Sequence, residues 1–228
     1  MPGAIGGLLV GFYFSGIYVL EVIASPRHNR ELGLLELLQN IEIAAIFVLA
    51  LLGWRRSVTG IERAAFASVM VLSFMVLGEE LDWGYHIVYT LTGTQVWQSD
   101  SLHSSLHSSL HHTSDTTRLI KRVTDIGLVC LFVLLPLFAR NTRNEWLRYF
   151  TPARLSIATL LCAVVIARTA HFLEHDLMLN RDGGLHNNIS EFREFFTYYV
   201  ALLYMYELVV RRQSPAARSR AQVGVPGA

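Results

Sequence analysis

The sequence predicts an all-α, polytopic membrane protein in which about six helices cross the bilayer as one bundle. Three observations carry that expectation. Hydrophobic residues make up 52% of the 228-residue chain and charged residues only 16%, with a mean hydropathy of +0.38, a balance too apolar for an ordinary soluble domain. The apolar residues gather into six stretches of about 20 residues, the length a helix needs to cross the hydrocarbon core. The carboxylates and histidines inside those stretches recur at one shared depth. Ionisable groups in hydrocarbon cost roughly 3 kcal/mol or more each, so they persist where they pair, bind or react.

The first span covers about residues 4–24. Val22 and Ala24 mimic a cleavage site, but there is no basic segment ahead of the stretch and Glu21 lies within it, so it reads as a retained helix and not a signal peptide. A short loop with Pro26 leads to the second span, about 34–52, and a loop around Gly60 to the third, about 64–88. A long polar connection, 92–121, separates the third span from the fourth, about 123–138. The fifth covers about 155–177 and the sixth about 192–210, completing a domain over 1–213. The tail 214–228 is small, basic and rich in Pro and Gly, and is expected to be disordered.

Eleven basic residues, among them Arg55, Arg56, Arg140, Arg143, Arg211 and Arg212, fall on one side of this arrangement and seven on the other. The excess marks the cytoplasmic side and puts both termini there, in a bacterial inner membrane. A net charge of +1 implies no nucleic-acid partner. Cys130 and Cys162 sit mid-way along apolar stretches, which suits packing and neither a disulfide nor a thiolate metal site.

With a rise of about 1.5 Å per residue, Glu79 lies roughly 23 Å along the third span and His171 roughly 24 Å along the fifth. Glu21 comes late in the first span, Glu36, Asn40 and Glu42 come early in the second, Asp125 opens the fourth and Glu191 and Glu194 open the sixth. All six helices therefore bring polar groups toward the outer leaflet. Glu79, Asp82 and His86 share one helix face at i, i+3 and i+7. His171 and His175 at i and i+4 are spaced to grip one metal ion, and Glu174 makes the stretch His-x-x-Glu-His, the inverted zincin pattern.

Asp82, His86, Glu191 and Glu194 are the candidates to complete a mixed shell for a divalent metal, Zn or Fe. Glu79 or Glu174 is then the candidate general base. Glu80, Trp83, Arg168, Glu42 and Tyr198 are placed around that site as supporting groups, and an intramembrane ion pair of Arg168 with the Glu79–Asp82 carboxylates is the alternative use of the same residues. Glu207, one turn before Arg211, suits an interfacial ion pair.

The segment from Ser101 to His112 repeats Ser-Ser-Leu-His with a period of four, which puts His103, His107 and His111 on one helix face and Leu102, Leu106 and Leu110 beside it. It reads as a short amphipathic helix at the outer surface. Gly183-Gly184 reads as a turn, and no nucleotide, haem-attachment or flavin motif occurs.

Gly78-Glu79-Glu80-Leu81-Asp82-Trp83-Gly84 resembles the Gly-Glu-Glu-x-x-Trp-Gly stretch of a group of uncharacterised bacterial integral membrane proteins, in which a Leu-His pair follows in a loop. The resemblance covers the third span to the start of the fourth. It departs at Tyr85-His86, where the group carries Gln-Arg, and in the triplicated Leu-His pair. It implies that Glu79, Glu80, Trp83 and Gly84 belong to a recurring site, and implies no activity. His171-x-x-x-His175 and His107-x-x-x-His111-His112 are similar to two of the three histidine boxes of membrane desaturases; the third is absent. The Glu79-Glu80 pair is similar to that of intramembrane CAAX-type proteases, but Gly84 stands where those carry Arg.

Three functions fit these features. The leading expectation is a metal-dependent hydrolase or transferase acting near the outer leaflet on a lipid-like or amphipathic substrate. The others are a di-iron oxygenase, and a non-catalytic membrane subunit, transport or cofactor-binding protein whose polar cluster is a buried ion-pair network. Membrane lipid is the expected surrounding, and an oligomer or larger membrane complex is compatible with all three.

Overall fold

A computed structural model describes residues 2–27, 33–81, 122–123, 125–139, 142–186 and 188–211. The described residues are helical, with no strand among them. The helices are α1 (Pro2–Tyr13), α2 (Tyr18–Ala24), α3 (Leu34–Arg56), α4 (Gly60–Glu80), α5 (Asp125–Ala139), α6 (Glu145–Phe150), α7 (Arg154–His175) and α8 (Ser190–Tyr206). A π-helical turn, Glu207–Arg211, continues α8. Three segments, Leu34–Arg56, Gly60–Gly78 and Arg154–His175, are long and apolar enough to cross a membrane. The connection 92–121 and the tail 214–228 lie outside the described residues.

The expected first span is two helices and not one. Ser15 Oγ donates to the Phe12 carbonyl at 2.9 Å and accepts from the Ile17 amide at 3.1 Å, and Gly16 takes a φ of +69°. A side chain that bonds its own backbone, followed by glycine in the left-handed region, is how helices stop. Twelve residues make α1 only about 18 Å long. In α5 the helix loosens into a π-helical stretch, Cys130–Leu134, directly ahead of Pro136, whose ring and missing N–H break the ordinary pattern. α4 begins four residues earlier than the sequence suggested. Thr59 and Glu62 form a capping box in which Glu62 Oε2 accepts from the Val58 and Thr59 amides at 2.9 and 3.0 Å, and Thr59 Oγ1 accepts from the Glu62 amide at 3.3 Å.

The chain divides into two compact units, Met1–Gly53 with Pro152–Arg212, and Trp54–Thr151 with Gln213–Ala228. In the first, α1, α7 and α8 pack together, and α2 packs on α1. α7 turns a face of small and polar residues inward, Ser156, Thr159, Ala163 and Ala170, while Leu155, Leu161, Val164, Val165 and Phe172 point outward. α3 likewise buries Ile43, Ile46, Ala50 and Gly53 and exposes Leu37, Ile41 and Val48. On α7, small residues inside and large apolar ones outside suit a helix whose solvent is lipid. Ser73 of α4 and Thr159 of α7 return their hydroxyls to the carbonyl one turn back, Val69 at 2.7 Å and Leu155 at 2.9 Å, so the polarity of these two is met within the helix. Gly6 of α1 admits the ring of Phe196 from α8 into a space any Cβ would fill.

The segment between α7 and α8 folds back over the α1–α2 junction. Met178, Asn180 and His186 all take positive φ, between +39° and +53°, which bends the chain tightly enough to do so. At Gly184 a Cβ would stand 2.1 Å from the Ser25 carbonyl oxygen, so only glycine fits. Gly184→Ala is expected to cost about 1–3 kcal/mol of stability in detergent, because rigid backbone and not a movable side chain stands in the way. Gly7→Ala, on an open stretch of α1, is the control and should be neutral or stabilising by up to about 1 kcal/mol.

Both cysteines are free and exposed, so they face outward instead of packing inside as the sequence suggested. Cys162 lies among the outward apolar residues of α7. In sealed membranes it should resist a charged maleimide and react once the protein is unfolded in SDS; ready labelling in the membrane would mean that this face of α7 is wet.

Candidate functional site

One end of the first unit collects most of its buried carboxylates. The C-terminal ends of α1 and α7 lie there with the N-terminal ends of α3 and α8. The Leu185 amide donates to the Tyr13 hydroxyl at 3.1 Å, and Asn180 Nδ2 donates to the Tyr13 carbonyl at 2.7 Å. Tyr13 is itself packed edge-on against Phe192, with ring centroids 5.9 Å apart. Glu174 and Glu21 both lie within electrostatic reach of the Tyr13 hydroxyl. Glu21 is buried and paired with Arg27 at 3.0 Å. Glu36, Gln39 and Glu42 from the first turns of α3, Glu174 from α7 and Glu191 from α8 are buried as well.

Glu191 is held by amides. Asn188 Nδ2 donates to its Oε1 in a short hydrogen bond, and Ser190 Oγ donates to Asn188 Oδ1 at 2.8 Å. Gln39 Nε2 donates to the Glu191 carbonyl at 3.0 Å and reaches its Oε2 at 3.5 Å, joining α3 to α8 across 152 residues of sequence. Gln39 and Asn188 are central to this arrangement, yet neither stands out in the sequence, because an uncharged amide is part of no ligand pattern.

The expected metal residues divide by helix face. His171 and His175 share a face of α7, with ring centroids 4.2 Å apart, and that face is exposed. Glu174 turns the other way, 2% exposed, although its Oε2 remains 3.6 Å from His175 Nε2. Glu191 is buried at the start of α8, and Glu194 and Tyr198 are half-buried beyond it. Arg168 is exposed. Among the described residues, no three His, Cys, Asp or Glu side chains converge closely enough to hold one metal ion. Glu79 and Glu80 end α4 in the second unit, with Glu80 half-buried. Asp82, Trp83 and His86 lie outside the described residues.

Other carboxylates have structural work. Glu62 is the capping residue of α4, and Glu207 Oε2 accepts from the Ala153 amide at 3.1 Å, which meets a donor at the start of α7. Arg211, expected to pair with Glu207, places its guanidinium 5.7 Å from the Tyr206 ring centre.

No family model, curated protein or solved structure matches the chain.

Tyr13→Phe tests the closure of this end. The variant keeps the ring but leaves the buried Leu185 N–H without its acceptor, a loss of about 1–3 kcal/mol. The expected result is a lower Tm and faster proteolysis between residues 176 and 189; an unchanged cleavage rate would mean that Asn180 alone holds the segment.

Proposed function

We propose that this is a multipass membrane protein of the transport or binding class, and that the acidic end of its first unit receives a cationic species. The observation that carries the reading is the burial of Glu21, Glu36, Glu42, Glu174 and Glu191 at that end, on α2, α3, α7 and α8. Carboxylates inside a membrane domain are retained for pairing, binding or passage of charge. Arg27 answers Glu21, and the amides of Asn188 and Gln39 hold Glu191 in a fixed pose. The burial of these groups, against the exposure of His171 and His175, favours cation binding over histidine-centred hydrolysis. The reading also takes six spans, with both termini on the cytoplasmic side of a bacterial inner membrane; the arginine distribution supports that orientation.

The adjacent His171–His175 pair supports one second reading, a metal-dependent hydrolase or transferase with these histidines as two ligands of Zn or Fe. Bound there, such a metal would act as a Lewis acid.

Flux and metal content separate the two. In proteoliposomes the wild type should dissipate an imposed membrane potential, read with a voltage-sensitive dye. Glu191→Gln should lower that flux about tenfold or more, and the His171→Ala/His175→Ala double variant should leave it within about twofold. Absence of flux, together with a stoichiometric metal lost in the histidine variant, would replace the transport reading by the second.

A further inference from the structure

The buried polar groups of α3 make a more specific argument. Gln39 is completely buried, and its amide orientation is fixed by chemistry: Nε2 lies between two acceptors, the carbonyl and the carboxylate of Glu191, so a flipped amide would set oxygen against oxygen. Its Oε1 therefore points away from Glu191, and no protein donor meets it. One turn further along the same buried face, Glu42 is 7% exposed and its Oε2 also accepts no hydrogen bond. Gln39 meets α8 at Glu191, and Glu42 lies within electrostatic reach of Tyr199 on the same helix. Side chains three residues apart on a helix are close neighbours, with Cβ atoms about 5–6 Å apart.

Two buried acceptors without donors, one turn apart on the same helix, cost free energy unless something positive or hydrogen-bearing meets them. Both are hard oxygens, which select hard cations over the softer metals that histidine and cysteine hold. One is a neutral amide and the other a single carboxyl group, so the pair supplies at most one negative charge to a bound ion. Divalent oxygen sites usually gather several carboxylates, and no three acidic or histidine side chains converge among the described residues.

We propose that Gln39 Oε1 and Glu42 Oε2 are two ligands of a buried site for a small monovalent inorganic cation between α3 and α8, with Glu191 as the positioning residue that aims the Gln39 oxygen. The proposal rests on the reading of this end of the unit as a cation site and names the ion class that the site takes.

The test is thermal unfolding of the full chain in nanodiscs, followed by tryptophan fluorescence. NaCl, KCl, CaCl2 and methylammonium chloride are titrated in turn, with N-methylglucamine chloride holding ionic strength constant. Sodium or potassium should raise the wild-type Tm along a saturating curve. Glu42→Gln, which keeps the shape of the side chain, and Gln39→Met should each shift that curve to at least tenfold higher concentration while helical content is retained. If Gln39→Met does not fold, Glu42→Gln alone decides. A rise of the same midpoint in the folded variants overturns the proposal, as does a rise with calcium alone. A rise with methylammonium alone overturns it while leaving the cation-site reading intact. No rise with any cation overturns both.

Discussion

The clasp on Tyr13 is the contact on which the buried end of the first unit depends. Asn180 takes the carbonyl that α1 leaves open at its C-terminus, and the Tyr13 hydroxyl takes the Leu185 amide of the segment that has folded over it. Both meet backbone groups that the helix end and the loop leave without partners of their own. Because the segment is held there, Gly184 comes against the Ser25 carbonyl, Asn188 comes within reach of Glu191, and α8 starts where Gln39 of α3 can meet it. Phe192 then fills the space beneath Tyr13 and Phe14. The polar end is thus built by local satisfaction of backbone groups, and the carboxylates are carried into place by it.

The long apolar helices were legible in the sequence because length and hydropathy are properties of a single segment. α3, α4 and α7 all fall where the expected second, third and fifth spans were read. The interruption of the first span was written in Ser15-Gly16, but a hydropathy average runs straight over two residues flanked by Phe14 and Ile17. The start of α4 was also written, as Thr59-x-x-Glu62, in residues that look like loop when only apolar character is followed. That polar groups cluster at one end of the first unit was legible from depth alone.

Which of those groups face inward was not legible. His171 and His175 lie only one residue from Ala170 and Glu174, about 100° around the helix, and the second pair is the one turned to the interior. Spacing gives relative angles on a helix and leaves its rotation to the packing partners. On α7 that rotation follows Ser156, Thr159, Ala163 and Ala170, the small residues that let neighbouring helices approach, and Glu174 falls on their line. The Gln39–Glu191 bridge lay further beyond reach, since nothing local to either residue points to the other.

The contacts that make this end of the unit span almost the whole chain: Tyr13 to Leu185 is 172 residues and Gln39 to Glu191 is 152. A ribosome delivers α1, α2 and α3 long before the residues that complete them. During that interval Glu36, Gln39 and Glu42 enter the membrane on a helix whose partner has yet to be made, in the environment where bare polar groups cost most. The order of synthesis therefore sets a period in which the nascent chain must shelter its own future interior, in the wet lateral opening of an insertion machine or against a chaperone, and arrival of α8 ends it. Assembly of this protein is, in that sense, a closing event timed by its last described helix.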